Sequence, residues 1–129
     1  MVKHIAIDTN IAIALLNNQT NVFSVLNKFD VIYIPITVCG ELLFGARNSK
    51  LSVKNTKRYF DFIQSCELLD SNLIVAQNYA SIRLNLKQKG KPIPENDIWI
   101  AAICVTNSIP LFTSDKHFSY IEELKVITT

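Results

Sequence analysis

At 129 residues, 49% apolar and 19% charged, the chain is long enough to bury a core and too apolar to be disordered. No apolar run nears the roughly 20 residues a membrane-spanning helix needs. Only Met1-Val2-Lys3-His4 precede the first strand, so neither a membrane anchor nor a secretory leader is expected. Thirteen basic against 11 acidic side chains leave a net charge of +2, which by itself selects no partner.

Ile5-Ala6-Ile7 reads as a short buried strand, and the apolar run from Ile11 to about Asn18 as a helix fed directly by it. Asn17 to Asn21 is a polar break, and Val22 to Phe29 a second short helix. Val31-Ile32-Tyr33-Ile34-Pro35 is a strand closed by its proline, with Thr37 as cap of a helix through Ala46. A helix over Ser52–Ser65 and a strand over Glu67-Leu68-Leu69 follow. Asp70-Ser71-Asn72 is a capping cluster for a long helix ending at Gly90. Lys91-Pro92-Ile93-Pro94 must be a loop, since two prolines forbid a regular helix. A helix begins at Glu95 or Asn96 and is apolar almost all round to Val105. Ile109–Phe112 is a strand, Lys116–Leu124 a helical crossover and Lys125-Val126-Ile127 a last strand. Strands alternating with helices predict one α/β domain over 1–129 with a parallel sheet of about five strands. Cys39, Cys66 and Cys104 are an odd, widely spaced set without a CxxC pair, read as buried thiols of a cytoplasmic protein.

This topology brings four acids to one sheet edge. Asp8 ends the first strand and Asp115 follows the fourth. Glu41 lies one turn into the helix after strand two, and Asp97 heads a helix that returns through Asn107-Ser108. Each has a bland explanation: Asp8 as a helix cap, Asp97 as a carboxylate favoured by the helix dipole, Asp115 as a turn residue. Glu41, beside Val38, Leu42, Leu43 and Phe44, has none. Four carboxylates in one cleft repel unless a cation neutralises them, and a thiol-free, imidazole-free oxygen set suits Mg²⁺ or Mn²⁺.

Ile-Asp-Thr-Asn, Glu41-Leu42-Leu43-Phe44-Gly45-Ala46, Asp97-Ile98-Trp99-Ile100-Ala101-Ala102 and Thr113-Ser114-Asp115-Lys116-His117-Phe118 occur in that order. Together they resemble a PIN-domain ribonuclease, specifically the VapC toxin of bacterial toxin–antitoxin pairs. The resemblance covers essentially the whole chain. It implies a three-layer α/β/α fold, a divalent-metal site and endonucleolytic cleavage of structured RNA such as tRNA or rRNA. By position it implies metal-site roles for Asp8, Glu41, Asp97 and Asp115, with Thr9, Asn10 and Thr113 orienting them. It also implies a small antitoxin (VapB-like) whose C-terminal segment wraps the toxin and sets a basic side chain in the acidic mouth, and a homodimer. One departure is Pro94, where relatives often carry a small residue, which bears on the loop's shape.

One ion or two both fit the acid count. Two other enzyme classes fail on named residues. A haloacid-dehalogenase phosphatase wants a second aspartate where Asn10 stands, and a receiver domain wants an acidic pair after the first strand. A PIN-like scaffold that binds without cutting, or a housekeeping PIN nuclease, remains the alternative. Lys87, Lys89, Lys91 and His117 are the candidate RNA contacts, since outside the four acids 13 cations face only seven carboxylates. His4, before the strand, belongs to the opposite edge, and Trp99 to the core. The groove beside Glu41–Arg47 and the helix from Ser52, with Tyr59, Phe60 and Phe62, is the candidate antitoxin surface.

Overall fold

A computed structural model describes residues 1–129. Five strands, β1 (His4–Ile7), β2 (Val31–Pro35), β3 (Glu67–Leu69), β4 (Leu111–Phe112) and β5 (Val126–Ile127), form one sheet in the order β3-β2-β1-β4-β5. Every pair is parallel, with Ala6 opposite both Tyr33 and Leu111, and Ile7 opposite Phe112. Parallel neighbours require crossovers. Here they are α1 (Thr9–Leu16), α2 (Thr20–Leu26), α3 (Ile36–Arg47), α4 (Ser52–Gln64), α5 (Leu73–Gln88) and α6 (Glu95–Thr106). Ile5, Ile7, Ile34, Leu111 and Phe112 have no exposed surface, as central strands covered on both faces must. This is the α/β/α architecture expected. From β1 the chain winds outward to β2 and β3, then returns to the other side for β4 and β5. The switch in winding falls between β1 and β4, where open α/β sheets place their ligands.

Element boundaries differ from the sequence reading chiefly at the start of α3 and between β4 and β5. Pro35 ends β2 and also caps α3, with φ −63° and ψ 144°, so Thr37 is already inside the first turn and caps nothing. Pro94 likewise stands at the cap of α6, which begins at Glu95, as the sequence reading allowed. Between β4 and β5 only Lys116–Tyr120 is helical, as a 3-10 turn, not the whole of Lys116–Leu124. The Asp115 side chain accepts from the His117 N–H and tightens that turn at its start, while Phe118, Ile121 and Leu124 are drawn into the core. All three thiols are free. Cys39 and Cys104 are buried, which pushes them up to about 11 and about 12, whereas Cys66, just before edge strand β3, is only half-buried.

Three helices end alike, with a left-handed residue and a backbone bond reaching back over the last turn: Asn18, Gly90 and Ser108. Their followers donate to Ala14, Leu86 and Cys104 respectively. At Ser108 this reversal turns α6 straight into β4. It therefore carries the N-terminus of α6, and Asp97 with it, back to the carboxyl end of β4.

Candidate active site

Asp8 leaves β1 and is the N-cap of α1, its Oδ1 accepting from the Ile11 N–H at 3.1 Å. Its Oδ2 accepts from the hydroxyl of Thr113, which leaves β4 on the adjoining strand. The capping role and the site role therefore fall on one residue. Asp8 is 4% exposed, and burial pushes its carboxyl up, while the bonds from Thr113 and Ile11 pull it back. Thr113 has a second task, since its oxygen accepts from the Asp115 N–H at 3.0 Å. One buried hydroxyl thus ties Asp8 and Asp115 to a common frame.

Glu41 stands on α3 with its Oε1 accepting from Thr9 Oγ1 at 2.9 Å. Asp97, in the first turn of α6, is half-buried and accepts no hydrogen bond from the protein. Its carboxyl is pushed up to about 6, first by burial and then by Asp115, Glu41 and Asp8, with His117 opposing. All four acids accordingly sense one mouth, at the β1/β4 switch. Within it, Asp97, Asp115 and His117 offer ligand atoms within 4.8 Å of one another. Asp8 and Glu41 lie outside that tighter trio.

Of the orienting residues read from the sequence, Thr9 and Thr113 use their side chains. Asn10 lends Asp8 only its backbone N–H, and its side chain is exposed. The mouth is not imidazole-free. His117 Nδ1 sits 3.1 Å from Asp115 Oδ1. The spacing of Asp115 and His117 was visible, but the 3-10 turn that folds one onto the other was not. Lys87, Lys89 and Lys91 do not form one free patch. Lys89 Nζ is 2.9 Å from Glu122, and Lys91 Nζ stands 4.6 Å over the Tyr120 ring. His4 stacks on Tyr33 at the far end of the strands, and Trp99 stacks on Tyr79 with centroids 3.9 Å apart.

The donor set fits a hard divalent cation. Four carboxylates and one imidazole converge, and Asp97, pushed up to about 6 by burial and then by Asp115, Glu41 and Asp8, is a carboxyl whose ionised form a cation would favour.

A PIN-domain family model matches residues 5–124. The chain belongs to the PIN-domain family. It is 30% identical over 123 residues, 92% of each chain, to Ribonuclease VapC2 of Rickettsia felis. It is 32% identical over 126 residues to Ribonuclease VapC of Rickettsia bellii, covering 95% of this chain and 93% of that one. Within the family it groups with the VapC ribonucleases. Its fold superposes on the crystal structure of VapBC2 from Rickettsia felis bound to a promoter DNA fragment, with TM-score 0.87, 27% identity and 98% of both chains covered. The DNA-bound VapBC structure from Salmonella typhimurium gives TM-score 0.86 at 25% identity, over 99% of this chain and 98% of that one. No helix is long and apolar enough to cross a membrane.

Proposed function

We propose that the protein is the toxin of a toxin–antitoxin pair, an endoribonuclease that hydrolyses phosphodiester bonds of structured RNA with Mg²⁺, for which Mn²⁺ can substitute. The observation that carries this is the meeting of Asp8, Glu41, Asp97 and Asp115 at the β1/β4 switch of a VapC-type PIN fold. Asp8 and Asp115 would hold the cation, with Glu41, Asp97 and the nearby His117 completing its surroundings. When bound, the cation neutralises phosphate charge and makes a water acidic enough to attack near neutral pH. The chain's own contribution is order and proton handling. Thr113 and Thr9 each fix the rotamer of one acid, Asp8 and Glu41. Asp97, pushed up to about 6 in the metal-free site by burial and its acidic neighbours, would ionise more readily once a cation offset those charges.

Incubation of the purified protein with total tRNA and rRNA, in Mg²⁺ or EDTA, tests this reading. Cleavage in Mg²⁺ that is lost in EDTA and in Asp97→Asn supports it. Intact RNA under every condition would leave only a silent scaffold.

The partner in this reading is a small antitoxin, as the VapBC relatives suggest by name. Its docking groove lies along α4, lined by Arg47, Val53, Lys57 and Phe60. Tyr59 and Phe62 are partly buried against the core and offer a partner less surface than Phe60. The most exposed apolar side chains beside it are Phe44, Leu51, Val53 and Phe60, at 70%, 62%, 87% and 47% exposure. Such a patch marks an interaction site rather than ordinary surface. Homodimerisation belongs to the same reading and is checked by the mass of the antitoxin-free protein in solution.

A further inference from the structure

We propose that the cavity between α5 and the first turn of α6 is a subsite for one unpaired guanine of the RNA strand approaching the acidic mouth. It rests on the ribonuclease reading above and deepens it. The cavity measures about 350 Å³, at the lower end of the roughly 300–1,000 Å³ typical of ligand sites. Leu86, Ile93 and Ile98, all buried, form its floor with Pro92. An apolar floor of this kind accepts the flat face of a base. Arg83, Lys87 and Glu95 supply the polar walls.

Glu95 is held in place. Its Oε1 accepts from the Tyr79 hydroxyl at 2.5 Å and from Arg83 Nη1 at 3.3 Å. Arg83 Nη1 also donates to the Tyr79 oxygen at 2.6 Å, and the Tyr79 ring is fixed by its stack on Trp99. The bond to Glu95 pushes the Tyr79 phenol up, so it keeps its proton and remains a donor. Oε2 of Glu95 has no partner in the protein. On this side chain, 62% exposed, that oxygen is open to solvent and can accept only from donors such as N–H groups. Guanine alone among the RNA bases presents two neighbouring N–H donors, N1–H and N2–H, on its Watson–Crick edge. Uracil presents one, flanked by two carbonyl oxygens that the carboxylate repels. The charge of Glu95 is offset by Arg83, which leaves Lys87 to meet a phosphate.

The cavity and the mouth share the first turn of α6, which contributes Glu95 to one and Asp97 to the other. Glu95 and Asp97 are two residues apart, about 200° around the helix, so one faces the cavity and the other the mouth. A helix is about 10–12 Å across with its side chains, which separates the two by one or two nucleotides. Pro94 provides no side-chain cap, and although its carbonyl accepts from the Asp97 and Ile98 N–H groups, those of Glu95 and Asn96 remain open to the intervening phosphate.

The test is a titration of the ¹⁵N-labelled full chain with guanosine 3′,5′-bisphosphate and with its uridine counterpart, followed by amide shifts. Shifts confined to residues 83–98 are expected, with guanosine bound at least about five-fold more tightly, the lower limit for a well-made edge contact. Glu95→Gln should erase that difference, while Lys87→Ala should weaken both ligands alike. Equal affinities, a preference surviving in Glu95→Gln, or unmoved amides because a second copy of the chain covers the cavity would each overturn the proposal. The readout is binding. A protein that binds guanosine here but cuts no RNA contradicts the ribonuclease reading and not the subsite; one that cuts RNA without the preference contradicts only the subsite.

Discussion

The hydroxyl of Thr113 donates to the carboxylate of Asp8 across 105 positions of sequence. Both groups are buried. Thr113→Val keeps the shape and removes the donor, leaving a buried acceptor unsatisfied, which costs about 1–3 kcal/mol. Urea unfolding of the metal-free protein should show that loss, and Thr113→Ser should recover most of it. RNA cleavage should fall in parallel, because Asp8 and Asp115 lose their shared anchor. A valine variant as stable and active as wild type would show the contact to be idle.

Asp97 makes the metal-free protein sensitive to pH. Below pH 3.8 it is protonated folded and unfolded alike. Between there and about 6 the unfolded chain ionises while the folded one holds its proton, so stability falls as pH rises. Above that window the loss is complete. Burial raises Asp8 as well, so its contribution has the same sign. Asp97→Asn should therefore be more stable than wild type at neutral pH, with a shallower slope across pH 4–6. Mg²⁺ should raise the melting temperature of wild type through mass action and do little for the variant. Thermal melts at several pH values, with and without Mg²⁺, read both effects. A destabilised Asp97→Asn would make this acid structural.

Much of this was legible in the chain because the fold is locally consistent. Ile5-Ala6-Ile7 before Asp8, and the doubly proline loop before Asp97, announce their elements by composition and spacing alone. The convergence of the acids followed from parallel topology, which fixes where strand ends lie. What stayed hidden depended on side-chain placement. Nothing in spacing says that Thr113 reaches back to Asp8, or that His117 folds onto Asp115. Nor does it say that Tyr59 and Phe62 turn inward while Phe60 and Val53 turn out. The Tyr79–Arg83–Glu95 cluster joins two helices and has no local signature at all.

The three lysines before Pro92 should separate in their response to salt. Lys89 is engaged by Glu122 and by the Tyr120 carbonyl. Lys87 and Lys91 are open to solvent. Each phosphate contact contributes a slope of about −0.7 to −0.9 in log K against log salt. Lys87→Ala with Lys91→Ala should flatten the slope by about one to two units, and Lys89→Ala should leave it within error. Anisotropy titrations of the Asp97→Asn protein with an RNA hairpin, over a salt series, measure it. Equal effects from all three would restore the single-patch view.

Ser108 holds φ 54° at the turn joining α6 to β4. A left-handed non-glycine residue costs roughly 1–2 kcal/mol, and glycine returns part of that gain as unfolded-chain entropy. Ser108→Gly should raise stability by about 0.5–1 kcal/mol without altering cleavage, whereas Ser108→Val should lower it and loosen the approach of Asp97 to Asp115. Paired unfolding curves and metal titrations distinguish the two. Glycine behaving no better than serine would mean the turn is unstrained.

Control by a partner is tested where the partner would sit. Val53 and Phe60 line the α4 groove, far more exposed than apolar side chains of a well-packed helix. A charged residue there interrupts the apolar seam an antitoxin helix needs, while α4 keeps its fold because none of its residues is fully buried. Val53→Asp with Phe60→Asp should leave RNA cleavage intact and abolish co-purification with a cognate antitoxin. In cells, wild type alone should arrest growth, and co-expressed antitoxin should restore it. The double variant should arrest growth whether or not the antitoxin is present, and adding Asp97→Asn should make it harmless. Rescue of the double variant by antitoxin would move the docking surface elsewhere. Harmlessness of wild type expressed alone would remove the toxin from the description and leave a PIN nuclease.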